Sequence, residues 1–148
     1  MLFHAGGVPF STGKTNYDYK PISPHGEDNR IILRVEIEQV VTSAVIDTAA
    51  SYAIVEPNVA QIIQPNPAAS IGGATVMIRG IKFKGHLYRL NLTIPAVEGE
   101  GMLREVTAFV PDPGEEGWGD LPSFLGMPGC LEFMRFAVDP DTDSFYFG

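Results

Sequence analysis

The sequence predicts an all-β fold, a small barrel or sandwich with one or two short helices. Several segments alternate apolar and polar residues, which is the pattern of half-buried strands. Sixteen glycines and twelve prolines are scattered along the 148 residues, as expected where frequent turns separate short strands. Apolar residues make up 45% of the chain, enough for one hydrophobic core at this length.

The chain divides into two predicted parts. Residues 1–29 contain three prolines and few consecutive apolar residues, so we expect an irregular N-terminal arm. Residues 30–148 are expected to form the β domain. No apolar run approaches the ~20 residues of a membrane span, and no charged-then-apolar leader opens the chain. We therefore expect no membrane partner and a cytoplasmic location.

Charge and cysteine content argue against nucleic-acid binding, an internal disulfide and a cysteine-based zinc site. The net charge is −8, and the basic residues are dispersed, which argues against nucleic acid as a partner. Cys130 is the single cysteine, so neither an internal disulfide nor a cysteine-based zinc site is possible.

The first half of the domain predicts three strands and a helix. Leu33, Val35 and Ile37 alternate with charged residues, which indicates a half-buried strand over residues 31–38. A second strand follows over residues 40–46, and a short third one covers 54–55. Pro57 then opens one or two helical turns whose inward positions are expected to be Val59, Ile62 and Ile63.

In the second half of the domain, glycines predict turns, and alternation of apolar and polar residues predicts strands. Residues 70–83 predict a hairpin with a turn at Gly72-Gly73 or at Arg79-Gly80. Residues 112–120, which include Trp118, are expected to form a solvated acidic loop. The other predicted elements are strands over 86–94 and 103–110, a short helical segment over 127–134, and terminal strands over 135–138 and 144–147.

The segment Val45-Ile46-Asp47-Thr48-Ala49-Ala50-Ser51 is the strongest functional signal. An acid directly after a buried apolar run is costly to bury without compensation, and such acids are often the working groups of a site. Thr48 offers a hydroxyl to support the loop, and the small residues Ala49, Ala50 and Ser51 leave room for a peptide backbone. The competing interpretation is an aspartate that ends a strand and caps a turn.

This segment resembles the active-site loop of the aspartic proteases, in which apolar-apolar-Asp-Thr/Ser-Gly-Ala/Ser is usual. Ala49 stands where that family has glycine. The later segment Phe124-Leu125-Gly126 resembles the apolar-apolar-Gly element that passes behind the active-site loop in proteases of the retroviral type. Between them, the hairpin over 70–83 occupies the place of the flap, with Gly72, Gly73, Arg79 and Gly80 as candidates for its tip.

The resemblance covers roughly residues 31–147 and implies a small closed barrel of the retropepsin-like type. It also implies an aspartic endopeptidase in which two carboxylates share a proton and activate water, without metal or cofactor. Because the chain offers one Asp-Thr loop that follows an apolar strand, the second Asp47 must come from a second copy in a twofold homodimer, with Thr48 of each copy bracing the two loops. The substrate would be a peptide or protein.

Two alternatives remain open at this point. The domain could keep the fold with little or no catalysis, as a peptide-binding or dimerisation module, because a methyl group at Ala49 narrows the approach of substrate. It could instead be an unrelated β-barrel in which Asp47 only caps a turn.

Overall fold

The computed structural model describes residues 1–24, 26 and 28–148. Within these residues the chain forms twelve strands, one α-helix and two short 3-10 helices, which confirms the all-β class. The strands are β1 Gly13–Asn16, β2 Asp18–Lys20, β3 Arg30–Ile37, β4 Val40–Ile46, β5 Ala53–Ile54, β6 Gly72–Ile78, β7 Ile81–Ile94, β8 Glu98–Gly99, β9 Met102–Pro111, β10 Ser123–Leu125, β11 Phe136–Asp139 and β12 Ser144–Phe147. The helices are α1 Pro57–Ile63 and the 3-10 turns Pro67–Ala69 and Leu131–Phe133.

Eight strands form the main sheet in the order β2-β3-β4-β10-β5-β9-β7-β6. Strand β3 also pairs with β7, where Glu36 faces Thr93 and Ile37 faces Leu92. This pairing joins six strands into a ring, but it extends over only two residue pairs. The barrel is therefore only partly closed, which corrects the expectation of a fully closed one, and β2 and β6 lie outside the ring.

Alternation along the strands sends neighbouring side chains into two apolar clusters. Leu33 belongs to the larger cluster, which combines the inner faces of β3, β7 and β9 with the C-terminal strands. Its neighbour Ile32 belongs to the smaller one, which contains Val45, Phe83 and Phe124. The opposite pointing of successive residues in a strand explains this division. The smaller cluster is the one that the candidate site adjoins.

The N-terminal arm is not irregular throughout, contrary to expectation. Strand β1 pairs antiparallel with β12 and with β8, and these strands form a four-stranded sheet in the order β11-β12-β1-β8. Strand β2 pairs with β3. The sequence hides β1 because its buried positions are Gly13 and Thr15, which give no apolar alternation.

Three smaller expectations are also corrected. The segment over 127–134 is a turn followed by the 3-10 helix Leu131–Phe133, because Pro128 and Gly129, with φ 79°, do not continue an α-helix. Ile62 on α1 is 67% exposed rather than inward-facing. Trp118 is 6% exposed, so its loop is anchored in the core and is not simply solvated.

Candidate active site

The candidate site is built where β4 ends and β5 begins. Strand β10 lies between these two strands, parallel to β4 and antiparallel to β5. Residues 47–52 link β4 to β5 and so must pass around the end of β10. The arrangement places Asp47 directly after a buried strand, at a loop whose ends are fixed by the same central strand.

Backbone hydrogen bonds hold Asp47 in the loop. Its N–H donates to the Leu125 carbonyl at 3.0 Å, which extends the parallel pairing of β4 with β10 by one residue. The Asp47 carbonyl accepts from Ala50 N–H at 3.1 Å, and the carboxylate Oδ1 accepts from Ala49 N–H at 3.1 Å. The side chain is half-buried, while Thr48 is exposed. The carboxylate therefore lies at the surface in an orientation that the local turn restricts.

Gly126 lies against the back of this loop. A Cβ built on it would come within 2.5 Å of the Ala50 oxygen and 2.7 Å of the Tyr52 oxygen. The Gly126 N–H donates to Tyr52 O at 2.8 Å, and Met127 N–H donates to Ala50 O at 2.9 Å. The structure thus brings the segments 47–51 and 124–126 together through backbone contacts, in an approach that only glycine permits.

Ser123 is a supporting residue that the sequence does not reveal. It is fully buried, and its Oγ lies 3.2 Å from Thr42 Oγ1 on β4. The same oxygen accepts a hydrogen bond from Glu56 N–H at 3.1 Å. One hydroxyl therefore ties β10 to β4 and to the chain that follows β5. A lone serine before an apolar pair carries no recognisable signal, so sequence reasoning does not find it.

The hairpin of β6 and β7 turns at Arg79-Gly80. These residues have φ of 51° and 79°, and Ile78 pairs with Ile81 on either side of them. Positive φ at both central residues is typical of a two-residue hairpin turn. Gly72 and Gly73 lie at the opposite end, paired with Leu87 and His86. Of the two predicted turns, Arg79-Gly80 is therefore the observed one and Gly72-Gly73 is wrong.

The apolar face of this hairpin joins the cluster beside the Asp47 loop. Phe83 is buried in that cluster, and Val76 and Ile78 pack against it. Ala50 and Tyr52, from the loop after Asp47, pack against the same cluster. The hairpin and the loop are thus connected through shared apolar contacts.

A separate cleft of about 820 Å³ lies between α1 and the end of β9. Asp47 is not part of its lining. Within this cleft His86 Nδ1 and Asp112 Oδ1 are 2.7 Å apart, with both side chains partly exposed. Ala53 at the start of β5 pairs with Ala108, so the chain beyond Pro111 lies at the other end of β9 from the Asp47 loop. This cleft is distinct from the candidate site.

Burial disfavours a role for Cys130 as a nucleophile. Burial raises the pKa of the Cys130 thiol to about 12, so it is protonated and shielded from solvent at neutral pH. A thiolate is the nucleophilic form of cysteine, which this environment does not provide.

No protein-family model matches the sequence, and no curated protein matches it either. Among solved structures, the chain is similar to the crystal structure of a retropepsin-like aspartic protease from Rickettsia conorii. The two share 17% identity with a TM-score of 0.52, over 90% of this chain and 92% of the other. The retropepsin-like resemblance is therefore confirmed at the level of the fold, and a different barrel fold is excluded, while the role of Asp47 stays a prediction.

Among the described helices, none is long and apolar enough to cross a membrane. The expected cytoplasmic location stays a prediction.

Proposed function

We propose that the protein is a homodimeric aspartic endopeptidase in which each copy supplies one catalytic carboxylate, that of Asp47. The placement of Asp47 carries the proposal: a half-buried acid at the end of β4, on a loop hydrogen-bonded to β10 at Leu125 and packed against Gly126. The fold shared with the protease from Rickettsia conorii supports it.

The need for a second copy follows from the chemistry. Peptide hydrolysis by water requires one carboxylate to accept a proton and another group to donate one. A single chain offers one loop of this kind, so a twofold axis beside Asp47 would supply the partner. Thr48 is exposed next to the acid and is available to brace the two loops across that axis. Two carboxylates at about 3 Å share one proton, because they cannot both ionise.

In the proposed reaction, the ionised carboxylate takes a proton from water while the water oxygen attacks the peptide carbonyl carbon. The protonated carboxyl gives its proton to the carbonyl oxygen, which yields a neutral gem-diol. Collapse of the gem-diol transfers a proton to the amide nitrogen and breaks the C–N bond, so that acid and amine leave. The step needs no metal or cofactor.

The substrate would be an extended peptide between the Asp47 loop and the hairpin of β6 and β7. Val76 and Ile78 of that hairpin are partly buried against the apolar cluster that the loop also contacts, which favours apolar side chains in the peptide. In this arrangement the turn Arg79-Gly80 is the tip of the flap. The net charge of −8 disfavours nucleic acid as a competing partner.

Ala49 supports a second candidate, a peptide-binding or dimerisation module with weak catalysis. Its methyl group is exposed on the loop at the position where substrate would pass. However, Ala49 is not among the non-glycine residues with positive φ, so the observed loop accommodates alanine without backbone strain. This geometry favours the endopeptidase over the inactive module.

Cleavage of a mixed peptide library at acidic pH, read by mass spectrometry, tests the proposal. We expect turnover by the wild type and its loss in Asp47→Asn, which keeps the size and the loop hydrogen bond of the side chain but not its charge. Equal turnover by the two proteins would refute the catalytic role. Absence of turnover in both, with retained peptide binding, would favour the module.

A cysteine cross-link tests the arrangement of the dimer. If the two loops face each other, Thr48→Cys should form an intermolecular disulfide under mild oxidation, because such bonds need Cα atoms within about 7 Å. Asn58→Cys, exposed on α1, is the matched control and should stay monomeric on a non-reducing gel. Equal cross-linking at both positions would contradict the proposed twofold axis.

A further inference from the structure

Trp118, the only tryptophan of the chain, lies in the loop between β9 and β10 and is nevertheless 6% exposed. Gly117 and Gly119 flank it with φ of 96° and 62°, conformations that favour glycine and allow the chain to turn sharply on either side of the indole. The indole Nε1–H donates to the Leu121 carbonyl at 2.7 Å. The loop therefore fixes this ring in one orientation.

The ring lies between the hairpin and the strand behind Asp47. Its centroid is 5.0 Å from that of Phe83 on β7 and 6.4 Å from that of Phe124 on β10, both in edge-on geometry. Phe124 is two residues before Gly126. The neighbouring Gly117 also lies beside Ile81, whose side-chain atoms are 3.5 Å from a Cβ built on that glycine. The loop thus contacts the hairpin at two places, at Ile81 next to the hairpin turn and at Phe83 farther along β7.

The half of the hairpin that meets Trp118 projects beyond the sheet. Residues 81–84 of β7 pair with β6, whereas pairing of β7 with β9 begins only at Gly85. Strand β6 is itself the edge of the sheet. Side-chain contacts must therefore contribute much of the stability of this half, together with the hydrogen bond from Arg79 Nη1 to Ser23 Oγ at 3.3 Å.

We propose that Trp118 is a positioning residue that holds the projecting half of the hairpin closed against β10. The inference rests on the proposed function, in which the hairpin covers the bound peptide. In the structure Phe83 already lies against the indole, and in the proposed enzyme this contact stabilises the closed, substrate-bound form. Trp118 touches neither the carboxylate nor the scissile bond, and its effect belongs to peptide binding rather than to the chemical step.

Hydrogen exchange of the hairpin amides tests this without any substrate. In Trp118→Leu we expect exchange over residues 76–83 to rise about 2- to 10-fold relative to the amides of β3, as loss of the ring contact with Phe83 implies. Phe145→Leu is the matched control, because Phe145 is fully buried in the other apolar cluster. Its loss can raise the exchange of β3, which shares that cluster, but should not raise the exchange of the hairpin relative to β3. An equal rise in both variants, or none in either, would overturn the proposal.

Two further variants keep the test decisive. Trp118→Phe retains a ring between Phe83 and Phe124 and should restore most of the protection. If Trp118→Leu does not fold, Phe83→Leu removes the same contact from the hairpin side and should give the same local rise. Unchanged hairpin exchange in Phe83→Leu would contradict the inference.

Peptide kinetics then separate this inference from the proposed function. Trp118→Leu should raise KM several-fold with kcat within about twofold of the wild type, because the carboxylates are untouched. A lower KM would show that the contact with the indole opposes peptide binding and would overturn the proposal. If the wild type cleaves no peptide, the endopeptidase proposal fails, while hydrogen exchange still decides the role of Trp118.

Discussion

Gly126→Ala should be strongly destabilising, because the added methyl group has no space. The Cβ would lie 2.5 Å from Ala50 O, 2.6 Å from Ala50 C and 2.7 Å from Tyr52 O. Ordinary carbon–oxygen contacts in proteins are about 3.3–3.6 Å, so the two segments would have to separate by nearly 1 Å. All three atoms belong to the backbone and cannot move aside by changing rotamer.

The expected magnitude combines two effects. Overpacking in a filled region costs about 1–3 kcal/mol. Separation also weakens the hydrogen bonds Gly126 N–H to Tyr52 O and Met127 N–H to Ala50 O. Each contributes about 0.5–1.5 kcal/mol. We therefore expect a loss of about 2–6 kcal/mol in the free energy of unfolding, which lowers Tm by about 4–24 °C for a chain of this size.

Urea unfolding followed by circular dichroism measures this loss, with the m-value as a check on two-state behaviour. Gly73→Ala is the matched control, since a Cβ built on Gly73 would have Gly85 O, at 3.9 Å, as its nearest neighbour. It should unfold within about 0.5 kcal/mol of the wild type. If Gly126→Ala unfolds together with Gly73→Ala, the backbone approach behind the Asp47 loop is not as described.

Three other changes have defined outcomes. Ser123→Ala should lower the free energy of unfolding by about 1–3 kcal/mol, because Thr42 Oγ1 and Glu56 N–H both lose their buried partner; an unchanged urea midpoint would contradict this. Ala49→Gly should keep or raise peptide turnover, and a clear fall in kcat/KM would show that the methyl group is part of the site. Burial raises the pKa of Glu56, so ionisation of this side chain lowers the stability of the fold. This loss of stability grows as the pH rises from the pKa of the unfolded state to that of the folded state. Glu56→Gln should therefore be more stable than the wild type at pH 7 and equal to it well below pH 4, as urea midpoints at the two pH values would show.

The sequence predicts the parts of this fold in which side chains repeat regularly. Strand β3 can be recognised in the sequence because Leu33, Val35 and Ile37 alternate with charged residues. All three are buried in the structure. The association of residues 47–51 with 124–126 follows from a family resemblance and not from periodicity. Their contact is made by backbone atoms, which leave no pattern in the sequence except the glycine itself.

The features that sequence reasoning does not find share a different physical cause. Strand β1 is held by long-range pairing with β12 rather than by its own apolar pattern. Trp118 lies in a segment rich in acids and glycines, so local composition indicates a solvated loop, while its burial depends on Phe83 and Phe124 at distant positions. Tertiary contacts of this kind override local composition, and a single sequence does not reveal them.

The anchoring of the Asp47 loop bears on what Ala49 can change. The loop is fixed by hydrogen bonds between backbone groups of residues 47, 50 and 52 and those of β10 and the turn after it. The Asp47 carboxylate accepts from the Ala49 N–H, a donor that alanine and glycine both possess. None of these bonds involves the methyl group. The position of the carboxylate is therefore independent of whether residue 49 is alanine or glycine, and any cost of the methyl group must arise when peptide approaches. In the proposed enzyme Ala49→Gly should accordingly act on KM more than on kcat, whereas a change confined to kcat would mean that the methyl group displaces the carboxylate.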